Sequence, residues 1–134
     1  MFTYKTQIRL HHTDAAGLLF FANQLVLVHD AYEEFLIKLG FNYEDHLHKS
    51  VYLFPIVHVE SDYKKSLFVG DKITIGVKVA GLGVTSFSLE YKICNKKGEV
   101  VGTAKTVHVA VNRKTKKKTT LPKAFRAVLE RISG

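Results

Sequence analysis

One carboxylate in this sequence stands where it could act on a carbonyl group. Asp14 lies among small and apolar residues in the segment 12–17, a few positions ahead of a predicted helix. The first N–H groups of a helix have no partner within it and can polarise a carbonyl oxygen. A carboxylate acting as base or nucleophile, together with such an N–H group, is sufficient for acyl transfer. The alternative is that Asp14 only hydrogen-bonds the backbone of its own turn.

The residues after this segment have the spacing of an amphipathic helix. The apolar stripe consists of Leu25, Val28, Tyr32, Phe35, Leu36 and Leu39. This spacing of three and four predicts a helix over 23–39. Asn23 is expected to cap its N-terminus, and Gly40 is expected to end it in the left-handed conformation.

The rest of the chain alternates between apolar and polar residues, as strands do. Four such runs cover 56–63, 72–79, 87–93 and 107–111, and a weaker one opens the chain at 3–10. Pro122 begins a second, short amphipathic helix. A single antiparallel five-stranded sheet wrapped around the long helix would bury both apolar surfaces. We therefore predict one α+β domain over residues 1–134, with a short C-terminal helix.

Composition excludes several classes of protein. The chain has 134 residues and a net charge of +8, with 46% hydrophobic residues, which argues against disorder. No apolar run reaches the roughly 18 residues that a membrane span requires. Cys94 is the single cysteine, so no internal disulfide can form. We expect a cytoplasmic protein.

The positive charge favours anionic partners, and the densest cluster lies within 113–118. Nucleic acid, an anionic lipid surface and a phosphate-bearing small molecule are possible ligands, and a solvated loop is the plain alternative. The cluster has no interleaved aromatic residues for base stacking, so we do not expect nucleic acid. His11 and His12 are adjacent but have no carboxylate partner in their loop, so no metal site is predicted.

The segment around Asp14 resembles the sequence motif of a known family. The string Thr-Asp-Ala-Ala-Gly-Leu-Leu-Phe-Phe over 13–21 resembles the Asp-x-x-Gly-hydrophobic-hydrophobic-aromatic motif of the 4-hydroxybenzoyl-CoA thioesterases, which have the hotdog fold. Pro55, Gly70 with Asp71, and the stretches 83–87 and 121–123 extend the resemblance over most of the chain. The resemblance implies an acyl-CoA thioester hydrolase with Asp14 as the catalytic carboxylate. It also implies that the backbone N–H of Phe21 polarises the carbonyl.

The same resemblance implies cofactor and partners. Coenzyme A is part of the substrate, and no further cofactor is expected. The active sites are expected at the interface of a homodimer or homotetramer.

Two other functions compete with hydrolysis of an aromatic acyl-CoA. The enzyme could act on an aliphatic acyl-CoA or on an acyl group carried by acyl carrier protein, whose acidic surface would suit the positive charge. A non-enzymatic basic module that binds nucleic acid or anionic lipid is the third hypothesis.

Two short segments, 29–33 and 55–59, resemble the 1,4-dihydroxy-2-naphthoyl-CoA hydrolase branch of this family. The branch implies an aromatic acyl group. Phe20 and Tyr52 are then candidates for lining the acyl pocket. His58 would contact an acyl hydroxyl or orient water, or it is a plain strand histidine.

This sequence lacks the arginines that bind the coenzyme A phosphates in the 4-hydroxybenzoyl enzyme. The 4-hydroxybenzoyl enzyme has adjacent arginines before its fourth strand, where this chain has uncharged residues at 81–84. The backbone N–H groups of this glycine turn are one possible substitute. The substrate-binding candidates there are Gly83, Val84 and Thr85, and the candidates for the phosphates are Lys64, Lys65, Arg113, Lys114 and Lys116.

Overall fold

Five antiparallel strands and one long helix organise the chain. In this computed structural model, residues 1–41 and 50–133 are described. The elements are β1 (Phe2–Gln7), α1 (Phe21–Lys38), β2 (Tyr52–Leu53), β3 (Ile56–Tyr63), β4 (Lys72–Leu82), β5 (Ser86–Asn95), β6 (Val100–Val109), β7 (Val111–Asn112) and α2 (Lys123–Ser133). The main sheet has the order β1-β4-β5-β6-β3, and β2 pairs with β7 separately.

The inner face of the sheet forms the core with α1. Alternate residues of β4 and β5 are buried, among them Ile73, Ile75, Val77, Phe87, Leu89, Tyr91 and Ile93. Helix α1 lies against this face with Leu27, Val28, Ala31, Tyr32, Phe35 and Leu36 buried. At about 1.5 Å per residue, its 18 residues span about 27 Å, close to the width of five strands. One helix therefore covers the apolar face of the sheet.

Helix α2 closes one end of this core with an aromatic cluster. Phe125 and Leu129 are fully buried. The ring of Phe125 stacks on Phe54 at 4.6 Å and meets Phe87 at 5.2 Å and Phe41 at 4.8 Å. The short amphipathic helix predicted after Pro122 is thus present.

Within 1–41 and 50–133, strand β3 lies at the edge of the main sheet and pairs only with β6. Its apolar side chains stay in contact with solvent, because 41–58% of Ile56, Val57, Val59 and Tyr63 is exposed. An edge strand with unpaired N–H and C=O groups and apolar side chains is a surface on which another strand can pair.

The predicted fold is confirmed, with one local correction. The capping role expected of Asn23 is wrong, since α1 begins at Phe21 and its N-cap, Phe20, has no side-chain capping bond. Gly40 follows the helix with a φ of 92°, as predicted. Within the described ranges, neither α1 nor α2 combines the length and apolar character of a membrane-crossing helix.

Candidate active site

Asp14 sits in a tight turn that fixes one of its carboxylate oxygens. Oδ1 accepts hydrogen bonds from the N–H groups of Ala16 at 2.9 Å and Leu18 at 3.2 Å. The Asp14 N–H donates to the Leu18 carbonyl at 2.8 Å. Gly17, with a φ of 80°, adopts the left-handed conformation that closes the turn. The second oxygen, Oδ2, has no hydrogen-bond partner in the described parts of the chain, so it is available to a ligand.

A short stretch after β3 holds this turn in place. The Leu19 N–H donates to the Leu67 carbonyl at 2.8 Å, and the Val69 N–H donates to the Gly17 carbonyl at 3.0 Å. These two bonds place the Asp14 turn beside residues 67–69.

Helix α1 starts immediately after the turn with unsatisfied donors. The Phe20 N–H and the Asn23 side-chain amide both donate to the His12 carbonyl, each at 2.9 Å. The N–H groups of Phe21 and Ala22 have no acceptor in 1–41 or 50–133. They carry the positive end of the helix dipole. The Phe21 N–H is thus free to donate to a bound carbonyl oxygen.

The carboxylate and the helix start line the same cleft. It has a volume of about 360 Å³. Its lining consists of Asp14, Leu18, Leu19, Phe21, Gln24, Tyr63, Lys64, Lys65, Ser66 and Leu67. The cleft therefore brings together Asp14, Phe21, Lys64 and Lys65, four of the residues predicted from the sequence.

Aromatic surface lies at the start of the same helix. The rings of Phe20 and Phe21 are 4.9 Å apart, and both side chains are largely exposed. Exposed aromatic rings at a cleft favour an apolar or aromatic ligand.

Two residues that the sequence analysis did not single out connect α1 to β3. Gln24 is 1% exposed, and its Nε2 donates to Ser61 Oγ at 2.8 Å and to the Asp62 carbonyl at 3.0 Å. The Tyr63 hydroxyl donates to the Phe21 carbonyl at 2.7 Å. The signal for Gln24 was a polar residue four positions before Val28 of the apolar stripe.

The two lysines of the cleft differ in their pairing. Lys65 Nζ forms an ion pair with Glu99, and this hydrogen bond is the main reason why the pKa of the Glu99 carboxyl is lowered. Lys64 forms no ion pair with a described residue. Of the two lysines that line the cleft, Lys64 is therefore the one without an ion-pair partner among the described residues.

The remaining predicted residues lie toward the other end of β3 and β6. Tyr63 pairs with Gly102 at the cleft end, and Ile56 pairs with His108 at the far end, about 23 Å away at 3.3 Å per residue. The far end includes Tyr52, Gly83, Val84, Thr85, Arg113, Lys114 and Lys116.

Several of these groups already have partners within the chain. Arg113 Nε donates to the Ser50 carbonyl at 2.7 Å, and the Gly83 N–H donates to the Ser86 carbonyl at 2.7 Å. His58 is exposed on β3, with its Nε2 at 3.2 Å from Glu60 Oε1. Their roles in binding substrate stay predictions.

Three other depressions in the described surface do not combine a carboxylate with the start of a helix. A larger depression of about 770 Å³ lies beside the start of β1 and the end of α1, and its described lining contains no carboxylate side chain. Across 1–41 and 50–133, no three His, Cys, Asp or Glu side chains cluster closely enough to hold a metal ion. The cleft at Asp14 is therefore the candidate active site.

Comparison with known families agrees with this geometry. The family model of the thioesterase-like superfamily matches residues 8–129. The chain belongs to this superfamily. The match contains the Asp14 turn, the whole of α1 and all of the main sheet except β1. The family resemblance predicted from the sequence is confirmed.

Relatives within the thioesterase-like superfamily include named enzymes. The chain is 38% identical over 121 residues to the 1,4-dihydroxy-2-naphthoyl-CoA hydrolase of Nostoc punctiforme, covering 90% of this chain and 81% of that protein. A crystal structure of a 1,4-dihydroxy-2-naphthoyl-CoA thioesterase from Synechocystis is similar with a TM-score of 0.91 and 25% identity, covering 99% and 98% of the two chains. A gentisyl-coenzyme A thioesterase structure gives a TM-score of 0.86 and 27% identity, with 95% and 98% covered.

Proposed function

We propose that this protein hydrolyses an aromatic acyl-CoA thioester, with 1,4-dihydroxy-2-naphthoyl-CoA as the foremost candidate substrate. The main support for this proposal is that the free Oδ2 of Asp14 and the unsatisfied N–H of Phe21 lie in the same cleft. The named relatives act on hydroxylated aromatic acyl groups, and the exposed rings of Phe20 and Phe21 suit such a group. The whole of 1–134 would form one hotdog thioesterase domain.

In the proposed mechanism, one group acts on the carbonyl oxygen and another on the carbonyl carbon. The thioester oxygen accepts a hydrogen bond from the Phe21 N–H, which stabilises the negative charge that develops on it. Asp14 either takes a proton from the attacking water or attacks the carbonyl carbon itself. The C–S bond then breaks, and the leaving thiolate of coenzyme A takes up a proton. Where Asp14 is the nucleophile, water then hydrolyses the anhydride that joins Asp14 to the acyl group. Water supplies the new oxygen of the acid, so the reaction requires no cofactor.

Self-association through β3 would complete the site. Two copies of β3 can pair antiparallel about a two-fold axis. This pairing covers the open β3 edge of each copy and buries Ile56, Val57, Val59 and Tyr63. We therefore propose a homodimer as the minimal unit, and a homotetramer could be built from two such dimers.

This pairing would also bring distant candidates to the cleft. In an antiparallel pair, the Ile56 end of one β3 lies beside the Tyr63 end of the other. The far-end groups of one copy, including the turn at Val84 and the cations Arg113, Lys114 and Lys116, would then approach the cleft of the second copy. Lys64 and Lys65 of the cleft's own chain would hold the phosphates from the other side. A cytoplasmic location is part of the proposal, because acyl-CoA substrates occur there.

Release of free thiol from a panel of thioesters tests the substrate class. The panel contains 1,4-dihydroxy-2-naphthoyl-CoA, hexanoyl-CoA and hexanoyl-acyl carrier protein. We expect kcat/KM to be highest for the naphthoyl thioester. Faster hydrolysis of either hexanoyl thioester would contradict the aromatic substrate, and no thiol release from any member would contradict thioester hydrolysis.

A further inference from the structure

The start of α1 is attached to β3 at two points, the Tyr63 hydroxyl described above and one buried amide. Gln24 lies in the first turn of α1, and its Nε2 donates to Ser61 Oγ and to the Asp62 carbonyl of β3. Ser61 Oγ donates in turn to the Thr103 carbonyl of β6 at 3.0 Å. The chain of bonds therefore runs from the helix start across two strands.

The neighbouring strand leaves space for this amide. A Cβ atom added at Gly102 of β6 would lie 2.7 Å from Gln24 Oε1 and 2.9 Å from its Nε2. Both distances are shorter than real contacts of a Cβ atom, so any side chain at this position would displace Gln24. The missing side chain at Gly102 therefore leaves the space that the Gln24 amide occupies.

A buried amide at this point needs an explanation beyond packing. An apolar side chain of similar size would avoid the cost of removing a polar group from water. Hydrogen bonds to fixed acceptors, in contrast, hold the amide in one position and orientation. The acceptors of Gln24 belong to β3, three residues or fewer from the cleft residues Tyr63 and Lys64. The amide therefore sets the distance and rotation of the helix start relative to the wall of the cleft.

We propose that Gln24 is a positioning residue for hydrolysis: it holds the Phe21 N–H where a carbonyl oxygen bound beside Asp14 can reach it. This inference rests on the proposed function. The Gln24 amide group donates to Ser61 and Asp62 of β3, so Gln24 acts through the placement of the first turn of α1. Since a misplacement of about 1 Å can cost about 100-fold in rate, loss of the anchor should appear in kcat.

Four variants test the proposal by steady-state kinetics with the naphthoyl thioester. We expect Gln24→Ala and Gly102→Ala each to lower kcat between about 10-fold and 100-fold, with KM changed less than about threefold. In the double variant, the new methyl group at residue 102 enters the space that the amide leaves. The double variant should therefore be no slower than Gln24→Ala alone. Gly76→Ala is the matched control, because its Cβ would meet only the flexible Met1 side chain and, at 3.9 Å, the Lys92 carbonyl.

The expected non-additivity separates positioning from general destabilisation. Equal loss from Gly102→Ala in both backgrounds, or a rise in KM with kcat unchanged, would overturn the proposal. The amide ¹H–¹⁵N shifts of Phe21 and Ala22 give a second readout that needs no substrate. Gly102→Ala should move them in the wild-type background and leave them in place in Gln24→Ala.

The two readouts also separate this inference from the proposed function. If the wild-type protein hydrolyses no thioester, the function is wrong, and the amide shifts still decide whether Gln24 transmits a change at Gly102 to the helix start. If hydrolysis occurs but the amide shifts of Phe21 and Ala22 respond equally in both backgrounds, the function stands and the role of Gln24 is wrong.

Discussion

Lowering the pH should destabilise this protein through one buried histidine. His108 of β6 has no exposed surface, and its ring lies between Phe87 at 4.7 Å and Tyr32 at 4.5 Å. Its Nε2 is 2.8 Å from Thr106 Oγ1, which is 2.9 Å from the Tyr91 hydroxyl. Burial lowers the pKa of His108 from 6.5 to about 4, against a smaller opposing effect of the Phe54 backbone.

The size of the effect follows from the two pKa values. The unfolded chain binds a proton at His108 below pH 6.5, whereas the folded chain binds it only near pH 4. The stabilisation due to neutral His108 is therefore complete above pH 6.5 and is lost as the pH falls toward 4. At about 1.4 kcal/mol per pH unit, the whole loss is about 3 kcal/mol, of which about 2 kcal/mol falls between pH 7 and pH 5.

Urea denaturation of the wild type and of His108→Phe measures this loss. Phenylalanine keeps a flat ring between Tyr32 and Phe87 but cannot take up a proton. We expect the free energy of unfolding of the wild type to fall by about 2 kcal/mol more than that of His108→Phe between pH 7 and pH 5. Titration of groups that do not interact with His108 cancels in this difference. The same pH dependence in both proteins would refute the reasoning.

Three further predictions concern the core, the catalytic turn and the cleft. Phe125→Ala should lower the free energy of unfolding by about 3–5 kcal/mol in urea denaturation, because it leaves a cavity against Phe87; a loss below about 1 kcal/mol would contradict this packing. Gly17→Ala should cost about 1–2 kcal/mol in the same assay, because a Cβ atom is strained at a φ of 80°, and an unchanged midpoint would argue against that turn. Lys64→Ala should raise the KM of a CoA thioester about twofold to fivefold and leave that of the phosphate-free pantetheine thioester unchanged; an equal rise for both would exclude phosphate binding by Lys64.

The main elements of the fold could be predicted from the period of their apolar residues. The stripe from Leu25 to Leu39 and the alternation in 72–79 and 87–93 correspond to α1, β4 and β5. The short strands β2 and β7 could not, because two residues hold no period and these strands exist only through their pairing with each other.

The inner face of β6 was also beyond prediction by hydropathy. The series Val107, Val109 and Val111 indicated an apolar face, yet Thr106 and His108 are buried along with Val109, while Val107 and Val111 are only half-buried. Their partners Tyr91, Phe87 and Tyr32 come from other elements, so the burial of these polar groups depends on tertiary contacts that no local pattern contains.

The candidate site was predictable in part. The short motif around Asp14 identified the carboxylate and the helix start, because both lie within eight residues of the chain. The Gln24 amide is held by residues 37 and 38 positions away. Lys64 lines the same cleft as Asp14 because the Leu19 and Leu67 segments are hydrogen-bonded. Such distant contacts are set by the sheet register rather than by sequence spacing.

Hydrolysis by Asp14→Asn tests the central claim most directly. The substitution keeps the size of the side chain and an oxygen that can accept the turn N–H groups, but it removes the base or nucleophile. We expect kcat for the naphthoyl thioester to fall by at least about 100-fold. Asp71→Asn is the matched control, a loop carboxylate that accepts the Phe68 N–H at 2.8 Å outside the cleft, and it should keep its activity. Full activity of Asp14→Asn would contradict the account.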